Sequence, residues 1–425
     1  MTGMPDIMAP KEEPPTKENK DTGESLALNS RKKRKVALFL MYVGHGYQGM
    51  QRNPDCKSIE ADLFEAINKA GGISDANADE EGFQKVHWSR AARTDKGVSA
   101  MCQVVSLMMV LEPPGIVERI NQHLPDQIRV LGYQRAVKGY DSRKVCDKRR
   151  YEYIFPAWMF DPAVQPMGNH VNANGNALFS GDDLKLKIKR TLSERDPSFV
   201  FDGECHEKLT AILKQFEGSH NFHNYTVRMD ASSPQAKRYI LEFTCKGTID
   251  IQGESWVRLV VIGQSFMLHQ IRKMVGMAVA EYKGIAPKGS LMCALKSRQR
   301  IVVPMAPDLG LFLDKCYYDA YNKRWGDLHG CLDSDTYAEE VEKFRREKLF
   351  PSLAQRDRDD NVNSEWLQYI HEDSYKFNEW ASGKPIHRAA KSTKRKHNGD
   401  ANTTQEPKKQ QSKALSIHLS AEYSD

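Results

Sequence analysis

The chain has 425 residues, 40% of them hydrophobic and 28% charged, and its 62 Lys and Arg against 56 Asp and Glu leave a formal charge of +6 at pH 7. That is enough apolar material for one large core or two coupled ones, while eight cysteines without a C-x-x-C pair argue against a disulfide framework or a compact structural zinc site. No apolar stretch is long enough to span a bilayer, the opening MTGMPDIMAPKEEPPTKENK has neither a secretory apolar core nor an arginine-rich organellar leader, and so small a charge surplus makes the placement of basic residues more telling than their number.

Residues 1–30 are poor in large apolar groups, so ordering them costs entropy that little burial offsets. Residues 1–35 are therefore expected to form a disordered tail ending in RKKRK, which suits a nuclear import signal, an RNA-backbone contact or a solvated lead into the next strand. Residues 36–43 predict a strand, and GHGYQG after it, with Gly44, Gly46 and Gly49 around Tyr47, a mobile loop. Ser58 is an N-cap for a helix carrying Ile59, Leu63, Ala66, Ile67 and Ala70 on one face and stopped by Gly71 and Gly72. Short strands at 84–88 and 103–110 flank a polar loop, Pro114 opens a helix to about His123, and 128–137 returns to strand.

KRRYEYIF at 148–155 alternates so that Tyr151, Tyr153 and Phe155 share one strand face. Residues 161–200 read as an irregular insert, followed by a helical stripe of Leu209, Ile212, Leu213 and Phe216 that ends at Gly218. Strands are expected at 237–245 and 255–262, and a longer helix at 266–280. After about Asp319 the pattern is helical and charged, with helices at 337–349 and 364–371, and from 383 to 425 it is polar, with KSTKRKH at 391–397. The expected organisation is a core over 36–320, a helical extension over 321–382 and a disordered tail; two strand-and-helix units without an evident repeat indicate a mixed α+β core.

The chemistry concentrates in HWSRAARTDKGVSA, residues 87–100. Arg93, Thr94 and Asp95 supply a guanidinium, a hydroxyl and a carboxylate in succession, Lys96 adds a cation, and Gly97 permits a tight turn. A lone Arg-Thr-Asp is better explained by a turn-capping aspartate offset by the arginine. Likewise, Tyr151 taken alone reads as core, and a cation on the helix after 266 as surface. His220 and His223 lack the cysteine pair that would complete a strong zinc ligand set.

The whole stretch RTDKGVSA is similar to the signature loop of the TruA-like pseudouridine synthases, in the form of their eukaryotic branch. KRRYEYIF resembles the family's R-Y-x-Y pattern, SHNFHNYT at 219–226 a later loop, QSFMLHQIRKMVG at 264–276 its third motif, and VPMAPDLGLFL at 303–313 its closing segment, so the resemblance runs in order through most of residues 36–320. It implies an α+β fold with a large, mainly antiparallel mixed sheet built from two related halves, flanking helices and a central RNA cleft. It implies isomerisation of specific uridines to pseudouridine in tRNA, with other structured RNAs as additional substrates, no organic cofactor, no metal, no membrane, and, with the basic clusters, a nuclear location.

Carried onto these positions, the resemblance makes Asp95 the catalytic carboxylate, attacking sugar or base or promoting glycosidic cleavage. Tyr151 becomes the aromatic that stacks on uracil and Arg272 the cation that pairs with Asp95. Arg93 contacts phosphate or the flipped nucleotide, or else organises the loop as an ion pair. Lys96, Lys148, Arg149, Arg150 and His269 are candidates for an RNA-facing rim, His269 alternatively bonding within its helix. A noncatalytic RNA-binding or RNA-folding protein on the same scaffold is the competing reading.

Overall fold

The computed structural model describes residues 32–53, 55–79, 81–165, 196, 198–370 and 375–381. The tail before residue 32, most of the insert at 161–200, and KSTKRKH lie outside the described residues. Strands β1 (Lys33–Tyr42), β2 (Ser89–Arg90), β3 (Ser99–Val110), β4 (Ile128–Arg135), β5 (Lys148–Pro156), β6 (Gly218–Asn221), β7 (Lys237–Ile251), β8 (Glu254–Gly263) and β9 (Leu311–Tyr317) form one sheet. Its order is β4-β1-β3-β9-β5-β8-β7-β6, with β2 paired to β3. The parallel pairing is β3 with β9, at Ser99↔Phe312 and Ala100↔Leu313, and the others are antiparallel. The α+β class and the mainly antiparallel mixed sheet are as expected, and the strands of residues 33–135 meet those of 148–317 at that parallel seam.

One face of the sheet is covered by α1 (Ile59–Lys69), α2 (Ile116–His123), α3 (Gly203–Lys214) and α4 (Gln270–Tyr282), which contribute to the larger core. α1 begins where the sequence places it: Ser58 Oγ accepts from the Ala61 amide, Glu60 and Asp62 complement the N-terminal dipole, and Ile59, Leu63, Phe64, Ala66 and Ile67 are buried. A second apolar cluster joins Met41, Met101, Ile154, Trp256 and Phe312 of the sheet to Phe344, Leu349, Phe350 and Leu353 of the C-terminal helices α5 (Ala338–Phe344) and α6 (Phe350–Asp360). The π-turn Arg345–Leu349 between them carries Arg345 beneath the sheet, where it pairs with Glu152 and Asp314.

Three local expectations are corrected. Residues 84–88 are not a strand: Gly82–Lys85 is a helical turn, closed by Val86 N–H on the Gly82 carbonyl, and Ser89–Arg90 alone pairs with β3. β7 runs on to Ile251, because Gly247, at φ +80°, takes up a bulge between Cys245 and Thr248 where a strand end is expected. Of RKKRK, Lys33, Arg34 and Lys35 belong to β1, and Lys35 is buried, its Nζ 2.8 Å from the His87 carbonyl and its pKa lowered to about 8 by burial.

Candidate active site

The loop from Ala91 to Val98 leaves β2, turns, and enters β3, and hydrogen bonds hold its entry, the Thr94 and Asp95 carbonyls, and its exit through Gly97 and Val98. Ala91 N–H donates to the Val104 carbonyl at 2.8 Å. The fully buried Gln103 amide then stands in for a strand partner, accepting from Ala92 N–H at 3.1 Å and donating to its carbonyl at 2.9 Å. Arg149, reaching from β5, donates Nε (3.0 Å) and Nη2 (2.7 Å) to the Ala91 carbonyl and Nη1 to that of Gln264 at 2.8 Å. Thr94 Oγ1 shares a 2.8 Å hydrogen bond with the buried Tyr42 hydroxyl.

The glycine loop packs behind this turn and is not the mobile element expected. Tyr47 is buried with its hydroxyl on Asp62, its carbonyl accepts from Gly97 N–H, Met50 N–H donates to the Thr94 carbonyl at 3.1 Å, and Gly44 N–H to Ser99 Oγ at 3.0 Å. The Gly49 and Met50 carbonyls also accept the first amides of α1. Gly49, at φ +116°, lies so close to the loop that a Cβ there would sit 2.8 Å from the Thr94 carbonyl oxygen. Asp95 is therefore set on a scaffold of helix, sheet and glycine loop before any ligand arrives.

The opposite wall is the start of α4. His269 adopts φ +61° ahead of the helix and brings its Nε2 within 3.9 Å of Asp95 Oδ2. Arg272 lies one turn into the helix and donates Nε to the Ala306 carbonyl at 2.7 Å, while Ala306 N–H returns to the Arg272 carbonyl, so the closing segment fixes this arginine. Arg272 thus reaches Asp95 through its field and makes no ion pair with it within 4 Å; the ring that approaches the carboxylate, at 3.9 Å, is His269. Burial raises the Asp95 pKa, assisted by Asp308 and opposed by His269 and Arg272. Burial also lowers the His269 pKa against the pull of Asp95, so the ring is neutral at neutral pH and Arg272 is the standing positive charge beside the carboxylate.

Tyr151 emerges from β5 beside these groups, buried, its ring edge-on to Phe266 at 5.3 Å between centroids. Asp95, Arg93, Tyr151, His269 and Arg272 line one cavity of about 860 Å³, within the range of small-molecule sites. Lys96 lines a neighbouring hollow of about 470 Å³ that shares Arg93, Asp95, His269 and Arg272.

The basic run at 148–150 does not form the rim expected of it. Strand alternation turns Arg149 to the cavity side, where it is buried as the clamp on Ala91. Lys148 pairs with Asp319, and Arg150 with Glu152 and Asp314 on the far face. His220 and His223 bond to the Glu217 carbonyl and the Asn221 side chain, and among the described residues no His, Cys, Asp and Glu cluster is arranged to hold a metal ion. Gln103 and Tyr42 belong to none of the sequence motifs and Gly49 reads in sequence only as part of a mobile loop, although a glutamine amid the apolar run of β3 is a visible anomaly.

A family model described as tRNA pseudouridine synthase matches residues 212–319, which contain β6 to β9, His269 and Arg272. The chain is 36% identical over 363 residues to the Pseudouridylate synthase 1 homolog of Homo sapiens (84% of this chain, 78% of the relative), and 36% over 343 residues to that of Mus musculus (80% and 74%). It is 34% identical over 393 residues to tRNA pseudouridine synthase 1 of Yarrowia lipolytica (80% and 74%). The chain belongs to the tRNA pseudouridine synthase family. The matches to these relatives cover about four-fifths of this pseudouridine synthase. No helix among the described residues is long and apolar enough to cross a membrane.

Proposed function

We propose that this pseudouridine synthase isomerises uridines in tRNA, with Asp95 as the catalytic carboxylate. The observation that carries the reading is a single one: a partly buried carboxylate on a rigid turn, facing an aromatic ring and a fixed arginine across a nucleoside-sized cavity. A carboxylate cannot reach the glycosidic bond of a stacked, paired uridine, so the target leaves its stack and enters the cavity. There the N1–C1′ bond breaks, the retained uracil turns, the C5–C1′ bond forms, C5 loses its proton and N1 gains one. Electrons balance without oxidant or reductant. Asp95 adds to sugar or base or assists the cleavage, and the same geometry serves each route.

Tyr151 offers a ring face to uracil and a hydroxyl that burial keeps protonated as a donor. Arg272 favours the ionised form of Asp95 and His269 lies at the same carboxylate. Arg93 is exposed at the mouth, where a phosphate or the flipped nucleotide's own backbone is the natural partner. Incubating the protein with unmodified tRNA and mapping pseudouridine by chemical labelling tests the activity. New pseudouridine supports it; tight tRNA binding without any conversion, across tRNA and other structured RNAs, favours the noncatalytic RNA-binding reading on this scaffold.

Nuclear residence is part of the proposal. With Lys33–Lys35 engaged in β1, KSTKRKH at 391–397 is the better import candidate. Removing its charges should release a tagged protein from the nucleus, and unchanged nuclear enrichment would exclude it as the signal.

A further inference from the structure

Beside the catalytic loop, the turn after Tyr140 is built with unusual care for an exposed segment. The Asp141 carboxylate accepts from Ser89 Oγ (2.8 Å) and from the amides of Arg143 (2.9 Å) and Lys144 (3.0 Å). Ser142 donates its hydroxyl to the Ser89 carbonyl at 2.8 Å, and the buried Tyr318 hydroxyl donates to the Ser142 carbonyl at 3.1 Å. The turn is thereby fastened to β2 and to the end of β9, and two cationic side chains stand on it, both exposed and both lining the cavity that holds Asp95.

The cations of that cavity divide into two groups. Arg90 is paired with Glu60, Arg149 donates to the Ala91 and Gln264 carbonyls, Arg238 to those of Gln235 and Lys237, and Arg272 to that of Ala306. Arg93, Arg143 and Lys144 have neither a side-chain hydrogen bond nor a carboxylate within ion-pair distance among the described residues. Asp141 Oδ1 accepts from a hydroxyl and two amides, and its charge acts on Lys144 through space with no ion pair to Arg143 or Lys144 within 4 Å. Burial and the like charges of Arg90 and Arg143 lower the Arg93 pKa, a repulsion that an anion placed among them would relieve.

We propose that Arg143 and Lys144, together with Arg93, form a clamp for a backbone phosphate of the strand that carries the target nucleotide. A phosphodiester supplies what three unpaired cations around a mouth lack, a negative charge shared over two oxygens that a guanidinium takes in a forked geometry and an ammonium as a point charge. A neutral uracil needs none of these charges. The rigid turn means the cations are aimed before RNA binds, so the ordering cost is confined to their side chains. The clamp rests on the reading of the cavity as the RNA site, and it assigns a task to residues outside every motif that carries the family resemblance.

The test uses the full-length protein and unmodified tRNA, comparing Arg143→Ala, Lys144→Ala and the double variant with Lys246→Ala, whose lysine pairs with Glu242. The salt dependence of tRNA affinity is measured alongside the single-turnover rate at saturating enzyme. Each lost phosphate contact should flatten the slope of log affinity against log salt by about 0.7 to 0.9. Because both cations serve the same phosphate, the double variant should lose about 0.7 to 0.9 in slope and bind about fivefold more weakly at moderate salt, with its rate at saturation within about threefold and its melting unchanged. Replacing the phosphates on either side of the target uridine by neutral methylphosphonates should weaken the wild type and leave the double variant nearly unaffected. A slope equal to that of wild type and Lys246→Ala overturns the clamp, as does a collapse of the saturated rate at unchanged slope, which would make the turn a support of the catalytic loop. A clamp-dependent slope in a wild type that forms no pseudouridine would leave the clamp standing and remove the proposed activity.

Discussion

Replacing Gly49 with alanine puts a methyl group into the back of the turn that carries Asp95. At φ +116° an L-residue is strained by about 1–2 kcal/mol. Its Cβ would also sit 2.8 Å from the Thr94 carbonyl oxygen, where ordinary contact begins at 3.4 Å. The backbone of Thr94 and Asp95 must retreat by roughly 0.5 Å, and since a misplacement of about 1 Å costs about 10²-fold, the chemical step should slow by about tenfold, near 1.4 kcal/mol of barrier. Gly46→Ala is the internal control, because Gly46 has φ +83° and a methyl group added there would meet nothing within 4 Å. It should lose similar stability and keep its rate. The assay is single-turnover release of tritium from C5-labelled uridine in tRNA, with thermal melts of both variants. Equal rates for the two variants, at comparable loss of stability, would show that Asp95 is not positioned by the glycine loop.

Asp95→Asn should lower single-turnover conversion at least about 10³-fold while tRNA affinity, shared over many phosphate contacts, stays within a few-fold; near-wild-type conversion by a folded variant would unseat the carboxylate. Because burial raises the Asp95 pKa, the wild type loses stability as pH rises from the unfolded to the folded pKa, so the asparagine variant should melt higher than wild type near pH 8 and the gap should close towards pH 4; a constant gap would contradict the direction of the shift. Activity that needs ionised Asp95 falls on acidification through this raised pKa, and Arg272→Gln removes a cation that opposes the rise, so the acid limb of the pH–rate profile should move to higher pH; a limb that stays or moves down refutes the field effect. Arg345→Met strips the fully buried Glu152 of one partner while Arg150 remains, and should cost about 3 kcal/mol by urea unfolding; a change under about 0.5 kcal/mol would mean the C-terminal helices do not buttress the sheet.

What was legible in the sequence followed local rules. Ser58 and the stripe behind it read correctly because a cap and a 3.6-residue period are properties of neighbouring residues. The convergence of Asp95, Tyr151 and Arg272 on one cavity was legible only through the family motifs, since nothing in their spacing brings residues so far apart together. The misreadings share a cause: partners that are remote in sequence. Arg149 looks like a surface cation until the Ala91 carbonyl, across the seam, absorbs its donors. The glycine loop looks mobile until Thr94 and Gly97 are placed against it, and His269 looks like a helix residue until its positive φ turns it towards Asp95. Gly247 ends a strand by propensity yet forms a bulge within one, because β8 keeps pairing beyond it.

The parallel seam also sets when the enzyme can exist. Its pairs, Ser99↔Phe312 and Ala100↔Leu313, join residues separated by most of the core, and the loop bearing Asp95 feeds one side while the segment holding Arg272 feeds the other. Such contacts repay their loop-closure entropy late in folding. On a ribosome the first strands can pair among themselves, as β1, β3 and β4 do, but the cavity has only one wall until β9 has emerged and inserted between β3 and β5. The residues that line the cavity from either side of the seam are thus brought to their final register when that strand inserts.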